Sequence, residues 1–391
     1  MLPSVLLPQD VIGMIIDFLH DDQAALRTCS MACKSWLHPC RFHLFYEIRL
    51  TCHERLKRFV GLAAPLSYLG PYIRILRVTI NSPEDAELLR FIVIHAERLR
   101  NLKEFEYSPS ESSLIDQELL GALTTVSVLR IHTGKHLNRL EDFARVISSF
   151  PHIQTLALHG DEDLVETDTA SVDLGEILSS TSLARLELYL QHCPRLIESV
   201  ARCLQTDILP SLDTIVLGTS CRQSWVLFDC VLDARPTAWK DLTVAVTGKC
   251  GCATASGQSP HLQTPLQKSL PSCQNLRCLR LYATRTTIGP IMAVLKNVQQ
   301  LNEVHITLNF RYDSLGAKQS IYEWKRMIRY LALCDSYLAT STMTVIVGMC
   351  PDTQFIEFIC RVARRSGRMT VRRRSLLHMH RVQLLLKYSP P

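Results

Sequence analysis

The sequence has no uninterrupted apolar run of about 18 residues, the length that a membrane-spanning helix needs. It has no Asn-x-Ser/Thr sequon, and its apolar N-terminus carries Pro3, Pro8 and Asp10 without a preceding positive charge, a poor match to a cleaved signal. Its 15 cysteines are scattered and odd in number, unlike the dense, even pattern of a disulfide scaffold. We therefore expect reduced thiols, a cytoplasmic or nuclear location and no membrane partner.

The motifs of the common catalytic sites are also missing. No G-x-x-x-x-G-K-[ST], G-x-G-x-x-G, H-E-x-x-H or G-x-S-x-G sequence occurs. Since no residue is marked as a nucleophile with its base, we expect neither enzymatic activity nor a cofactor. An enzyme would need a deep pocket in which acid, base and nucleophile converge.

Acidic residues are absent from one region. Between Arg361 and Lys387 the chain has nine basic residues and no acid, within a net charge of +6. The rest has 34 basic and 37 acidic residues, a balance that argues against nucleic acid as a partner. A nuclear localisation signal or a patch for an acidic surface is one interpretation of the basic segment. We favour the alternative that residues 351–391 form a solvated basic cap or tail.

The N-terminal region, by contrast, is rich in apolar residues at helical spacing. Pro8 suits the first turn of a helix, and apolar residues then recur at steps of three and four. Asp21 or Asp22 can cap a second helix, and Pro39 is expected to interrupt a third stretch. Three short helices form a small core, and the apolar stripe is wider than that core needs. The excess indicates a surface for a partner.

Leu7-Pro8, the short acidic and apolar helix, the paired acids and the ending Cys33-Lys34-Ser35-Trp36 resemble the F-box motif, in a layout like that of fungal F-box proteins. The resemblance implies a three-helix module over residues 1–50, here called the head, that docks onto the Skp-type adaptor of a cullin-RING ubiquitin ligase. It implies that these residues face the adaptor: Leu7, Pro8, Val11, Ile12, Ile15, Leu19, Leu26 and Trp36. The alternative is an ordinary three-helix cap on the following repeats.

Beyond residue 70 one apolar triplet returns, with the spacing apolar-x-x-apolar-x-apolar. Its nine copies begin at Ile73, Leu102, Val126, Ile153, Leu183, Leu212, Trp239, Leu276 and Leu301. The copies are 24–30 residues apart, except for one interval of 37 that contains a Gly-, Ser- and Pro-rich stretch. The alternating last two positions predict a short strand with one inward face, and helical patterns fill the gaps.

This period resembles that of the leucine-rich-repeat family. Stacked units bury the apolar face that one unit cannot bury, and their strands line a concave sheet. We therefore predict an α/β fold: the helical head, a connecting segment over 51–70, and an irregular leucine-rich-repeat solenoid with a concave parallel sheet over 71–350, with a loop insertion at 248–272. A generic α/β domain of alternating strands and helices is the alternative.

Residues beside the inward strand positions would face the groove or solvent. We take five of them as candidates for target binding: Arg185, Glu187, Arg280, Tyr282 and His305. The chain is thus expected to be the substrate-recognition subunit of an SCF-type ubiquitin ligase, which links a Skp-type adaptor to an unknown protein target. A protein-interaction scaffold with no ligase role is the alternative.

Several cysteines and histidines have spacings that suit a metal. Cys250 and Cys252, with His261 and Cys273 nearby, are interpreted as thiols of a loop, because structural zinc sites need a second ligand pair. Cys29 and Cys33, one helical turn apart, are interpreted as buried core thiols. His378 and His380 are similarly interpreted as surface residues. We expect no metal site from these patterns.

Overall fold

A computed structural model describes most of the N-terminal two thirds of the chain and shorter segments after it. The described residues are 8–61, 66–109, 120–133, 140–160, 174–191, 193–205, 209–219, 222–246, 272–283, 301–309, 342–348, 369–374 and 383–385. The chain divides into two compact units. Unit 1 comprises residues 1–157, 166–172 and 180–182, and unit 2 comprises residues 158–165, 173–179 and 183–391.

Three helices form the head: α1 (Gln9–Phe18), α2 (Gln23–Ala32) and α3 (Lys34–Phe45). Pro8 precedes α1 as predicted, and the Asp22 carboxylate caps α2 by accepting a hydrogen bond from the Ala25 backbone N–H at 2.9 Å. Cys33 then adopts an extended backbone conformation, which separates α2 from α3.

The prediction that Pro39 interrupts the third helix was wrong, since α3 continues through it. A proline in a helix cannot donate to the carbonyl four residues earlier, which here belongs to Ser35. The Gln9 side chain of α1 donates to that carbonyl oxygen at 3.3 Å. The partner that replaces the lost bond thus comes from another helix.

Strands and helices follow one another along the rest of the chain, which makes the fold α/β. The further helices are α4 (His53–Gly61), α5 (Leu66–Leu69), α6 (Pro83–Ile94), α7 (Leu140–Ser148), α8 (Leu174–Ser179), α9 (Pro194–Gln205) and α10 (Arg222–Ala234). The strands are β1 (Glu47–Leu50), β2 (Ile75–Ile80), β3 (Glu104–Pro109), β4 (Val128–Thr133), β5 (Thr155–Gly160), β6 (Arg185–Leu190), β7 (Thr214–Thr219), β8 (Asp241–Val246), β9 (Cys278–Ala283), β10 (Glu303–Asn309), β11 (Thr342–Gly348), β12 (Met369–Arg374) and β13 (Gln383–Leu385).

The last two positions of each of the nine triplets fall on a strand, β2 to β10 in order, as predicted. Within unit 1, β1 to β4 pair in parallel with their sequence neighbours, and so do β6 to β12 within unit 2. Equivalent triplet positions lie opposite each other, for example Leu76 beside Phe105 and Leu242 beside Leu279. Such a ladder stacks the inward side chains, and these four are fully buried.

Among the paired strands described within each unit, only the last one, β13, is antiparallel to its neighbour. β13 pairs antiparallel with β12, so the basic C-terminal region contributes two short strands. The loop predicted at 248–272 lies outside the described residues, apart from Ser272. Among the described helices, none has the length and hydropathy that crossing a membrane requires.

Candidate functional site

The head has its own small core. Ile12 and Ile16 of α1, Leu26 of α2 and Cys40 of α3 are buried together. Partly buried side chains pack around them: Leu19, Cys29, Trp36 and Leu44. The Asp17 carboxylate of α1 also accepts a hydrogen bond from His43 Nε2 of α3 at 2.7 Å. One face of α1 therefore packs against α2 and α3.

A second face of α1 carries apolar side chains that the core does not use. We call it the outer stripe, and it consists of Val11, Met14, Ile15 and Phe18, at the i, i+3, i+4, i+7 spacing of one helix face. Phe18 and Met14 are 88% and 72% exposed, and Val11 and Ile15 are 39% and 36% exposed. Met31 of α2 is 79% exposed. Large apolar side chains this exposed at helical spacing are typical of interaction surfaces, whereas apolar surface residues without such a role are usually scattered.

The expected adaptor contacts divide between these two faces. Pro8, Val11 and Ile15 are exposed, as a contact surface requires. Ile12 and Leu26 are 4% and 0% exposed, so in this structure they form the head's core and are not available to a partner.

Two more of the expected contacts, Leu19 and Trp36, are half-buried against that core, and Leu7 lies outside the described residues. Sequence reasoning missed the two most exposed members of the stripe, Met14 and Phe18. A projection at 100° per residue would have found them, because it separates Val11, Met14 and Phe18 from the core positions.

The cysteines of the head differ in environment. Both thiols were predicted to be buried in the core: Cys29 is partly buried against it, but the prediction for Cys33 was wrong, because the chain leaves the helix there and Cys33 is exposed. The Ser35 hydroxyl lies 3.0 Å from Cys33 Sγ and lowers the pKa of the Cys33 thiol. Burial raises the pKa of the Cys40 thiol. The exposed thiol is therefore the more reactive of the two.

The outward side chains of β1 to β4 in unit 1 form an ion-pair network. Arg77 of β2 contacts Glu47 of β1, with Nε 2.7 Å from Oε1, and also contacts Glu106 of β3. His132 of β4 lies 2.9 Å from Glu106 through its Nε2. Burial alone would raise the pKa of Glu106, but the hydrogen bond with His132 and the charge of Arg77 outweigh it, and the pKa is lowered.

The candidate target-binding residues lie on three described strands of unit 2. Arg185 Nε donates to Glu187 Oε1 of the same strand at 2.6 Å, and Glu187 is buried. Arg280 and His305 are register neighbours on β9 and β10 and are half-buried. The Tyr282 side chain lies outside the described residues. Arg280 and His305 are thus brought together, while burial removes Glu187 from an exposed surface.

The metal candidates from the sequence lie mostly outside the described residues. Cys250, Cys252, His261, His378 and His380 lie outside the described residues. Cys273 is buried, which raises the pKa of its thiol to about 12.

No protein-family model matches the chain, and no curated protein matches it.

Proposed function

We propose that the chain is the substrate-recognition subunit of an SCF-type cullin-RING ubiquitin ligase. In this proposal the head docks onto the Skp-type adaptor, and a solenoid formed by the repeats holds the target protein. The observation that carries the proposal is the outer stripe of α1, an apolar face left open beside an already complete core. It supports the F-box resemblance of the Leu7-Pro8 to Trp36 segment, which implies a partner at this place.

Burial of the outer stripe against a partner would contribute enough binding free energy to anchor that partner. Full burial of one exposed Phe or Met side chain contributes about 1.5–3 kcal/mol, so Phe18 and Met14 together supply a substantial part of a binding free energy. Aromatic residues at the centre of an interface commonly dominate its affinity. We therefore expect Phe18 to be the principal anchor, with Met14, Val11 and Ile15 around it.

The strand order supports the solenoid part of the proposal. In each unit, neighbours in sequence are neighbours in the sheet, and helices intervene between many of the strands. A chain of such units grows in one direction and leaves a row of strand faces for a partner. The mechanism is then proximity: the ligase's other subunits transfer ubiquitin, and this chain raises the effective concentration of the target beside them.

Reconstitution with a purified Skp-type adaptor tests the proposal. Wild type is expected to co-purify with the adaptor, while Phe18→Ser and the double variant Leu7→Ala with Pro8→Ala are expected to lose it. Ile94→Ser is the matched control, since Ile94 is an exposed apolar residue of α6, outside the head. Binding by both head variants would reject the outer stripe and Leu7-Pro8 as the docking surface, and binding by none of the proteins, wild type included, would reject the ligase role. In that case the scaffold interpretation would stand.

A further inference from the structure

Three side chains of different chemistry meet on the outward face of unit 2. Cys278 Sγ, a carboxylate oxygen of Glu303 and a ring nitrogen of His305 all lie within 4.8 Å of one another. The sheet explains the meeting: Cys278 is the register partner of Glu303, and His305 follows two positions later on the same face. No other group of three or more metal-ligating side chains occurs within the described part of the chain.

We propose that Cys278, Glu303 and His305 bind a divalent transition-metal ion, best matched by Zn²⁺. Thiolate, imidazole and carboxylate are the three ligand types that zinc takes, whereas Mg²⁺ and Ca²⁺ prefer oxygen ligands alone. Three donors on one tetrahedral zinc lie about 3.3–3.7 Å apart, so the cluster needs only a small contraction to enclose the ion. This inference does not depend on the proposed ligase role.

The surroundings suit an ion that enters from solvent. Cys278 is 5% exposed, whereas Glu303 is exposed and His305 is half-buried, so the sulfur forms the floor of the cluster and the other two its rim. Asp241 of β8 is the register partner of Cys278 on its other side, which adds a second carboxylate nearby. The Arg280 guanidinium lies 3.4 Å from that Asp241 carboxylate. Water or Asp241 would complete four-coordination.

The ion would connect two strands that are 25 residues apart in the repeat. Glu303 and His305 belong to β10 and Cys278 to β9, so one ion would tie the first residues of the two strands together. Without an ion, His305 Nε2 and Glu303 Oε2 are hydrogen-bonded at 3.1 Å, and the buried Cys278 thiol donates a hydrogen bond to the Glu303 carboxylate. The two situations differ in whether Cys278 is a ligand.

Cobalt titration of the purified full chain distinguishes them. Co²⁺ replaces Zn²⁺ in tetrahedral sites, and a thiolate ligand gives it an intense charge-transfer band in the near ultraviolet. Wild type is expected to bind one more equivalent of Co²⁺, with this band, than Cys278→Ser does. Cys273→Ser is the matched control, because it removes a thiol of nearly the same burial, 6% against 5%, outside the cluster.

Two variants at the rim test the site independently, in case Cys278→Ser does not fold. His305→Gln and Glu303→Gln change solvent-accessible side chains and are expected to lower the affinity for Zn²⁺ by about tenfold or more, with unchanged circular dichroism. Equal stoichiometry and equal bands in wild type and Cys278→Ser would overturn the proposal. Unchanged zinc affinity in both rim variants would overturn it as well.

Discussion

Strands β2 and β3 of unit 1 and strands β6 to β8 of unit 2 carry the same inward triplets but differ on the opposite face. In β2 and β3 of unit 1, buried residues alternate with half-exposed ones, and Arg77 and Glu106 hold the middle outward positions. In β6 and β7 of unit 2 the corresponding residues, Glu187 and Val216, are 5% and 1% exposed. The triplet describes only the inward face, so one sequence pattern is compatible with an open or a closed outer face.

The difference has a chemical consequence. The open face of unit 1 carries long charged side chains that satisfy one another across strands, as Arg77 does with Glu47 and Glu106. Such a face offers polar groups to a partner and responds to salt and pH. The middle positions of β7 and β8 instead carry Val216 and Thr243, which are buried and contribute to packing.

A charge placed at an outward strand position should separate the closed face of β6 to β8 from the open face of β2 and β3 most strongly. Val216→Asp puts a carboxylate into a buried site beside Glu187, its register partner, and is expected to lower the free energy of unfolding by about 3 kcal/mol or more. Thr79→Asp, on the half-exposed outward face of β2, should cost less than about 1 kcal/mol. Urea denaturation measures both. Equal losses would remove the distinction between the faces.

Removing the central cation of the unit 1 network should have a medium effect. Arg77→Met leaves Glu47 and Glu106 without their shared partner and is expected to lower the free energy of unfolding by about 1–2 kcal/mol at low salt, and by less at high salt. Arg90→Met removes an exposed pair with Glu87 and should cost about 0.5 kcal/mol or less. A salt-independent loss in Arg77→Met would show that packing, not charge, is responsible.

Acid should weaken unit 1 through Glu106. The folded-state pKa of Glu106 lies below its ordinary value of 4.5, so its stabilising contribution is present above that value and is lost as the pH falls through the lowered pKa. Between about pH 5.5 and pH 3, Glu106→Gln should therefore lose stability less steeply than wild type. Denaturation curves across this range measure the slopes, and parallel slopes would contradict the role of Glu106.

Thiol reactivity is the smallest effect, because it leaves stability unchanged. Cys33 is exposed with a lowered pKa, whereas Cys40 is buried with a raised one. Brief treatment with iodoacetamide at neutral pH should modify Cys33 before Cys40, as read by peptide mass spectrometry. Ser35→Ala should slow this reaction, because the hydroxyl that stabilises the thiolate is removed. Faster labelling of Cys40 would contradict the arrangement of the head.

The strands could be predicted from sequence because a period of two reports directly which side chains point inward. The triplet interval could also have found the metal candidate, since Cys278 and Glu303 hold equivalent positions 25 residues apart. The continuation of α3 through Pro39 could not be predicted from sequence, because the compensating donor, Gln9, comes from another helix. Nor does the triplet say whether the outer face of a strand is open, because that depends on packing by other segments.

In the head, the apolar residues of α1 were interpreted as one wide stripe, whereas they form two faces. Ile12 and Ile16 belong to the core, and Met14 and Phe18 belong to the outer stripe. The proposed docking onto an adaptor depends on the second face.

Calorimetric titration of the full chain with a Skp-type adaptor tests the central claim most directly. Wild type is expected to bind with a negative heat-capacity change, the mark of apolar burial. Phe18→Ser is expected to weaken binding by at least tenfold, about 1.4 kcal/mol, while Ile94→Ser binds as wild type does. Equal dissociation constants for wild type and Phe18→Ser would contradict the claim that the outer stripe of α1 is the docking surface.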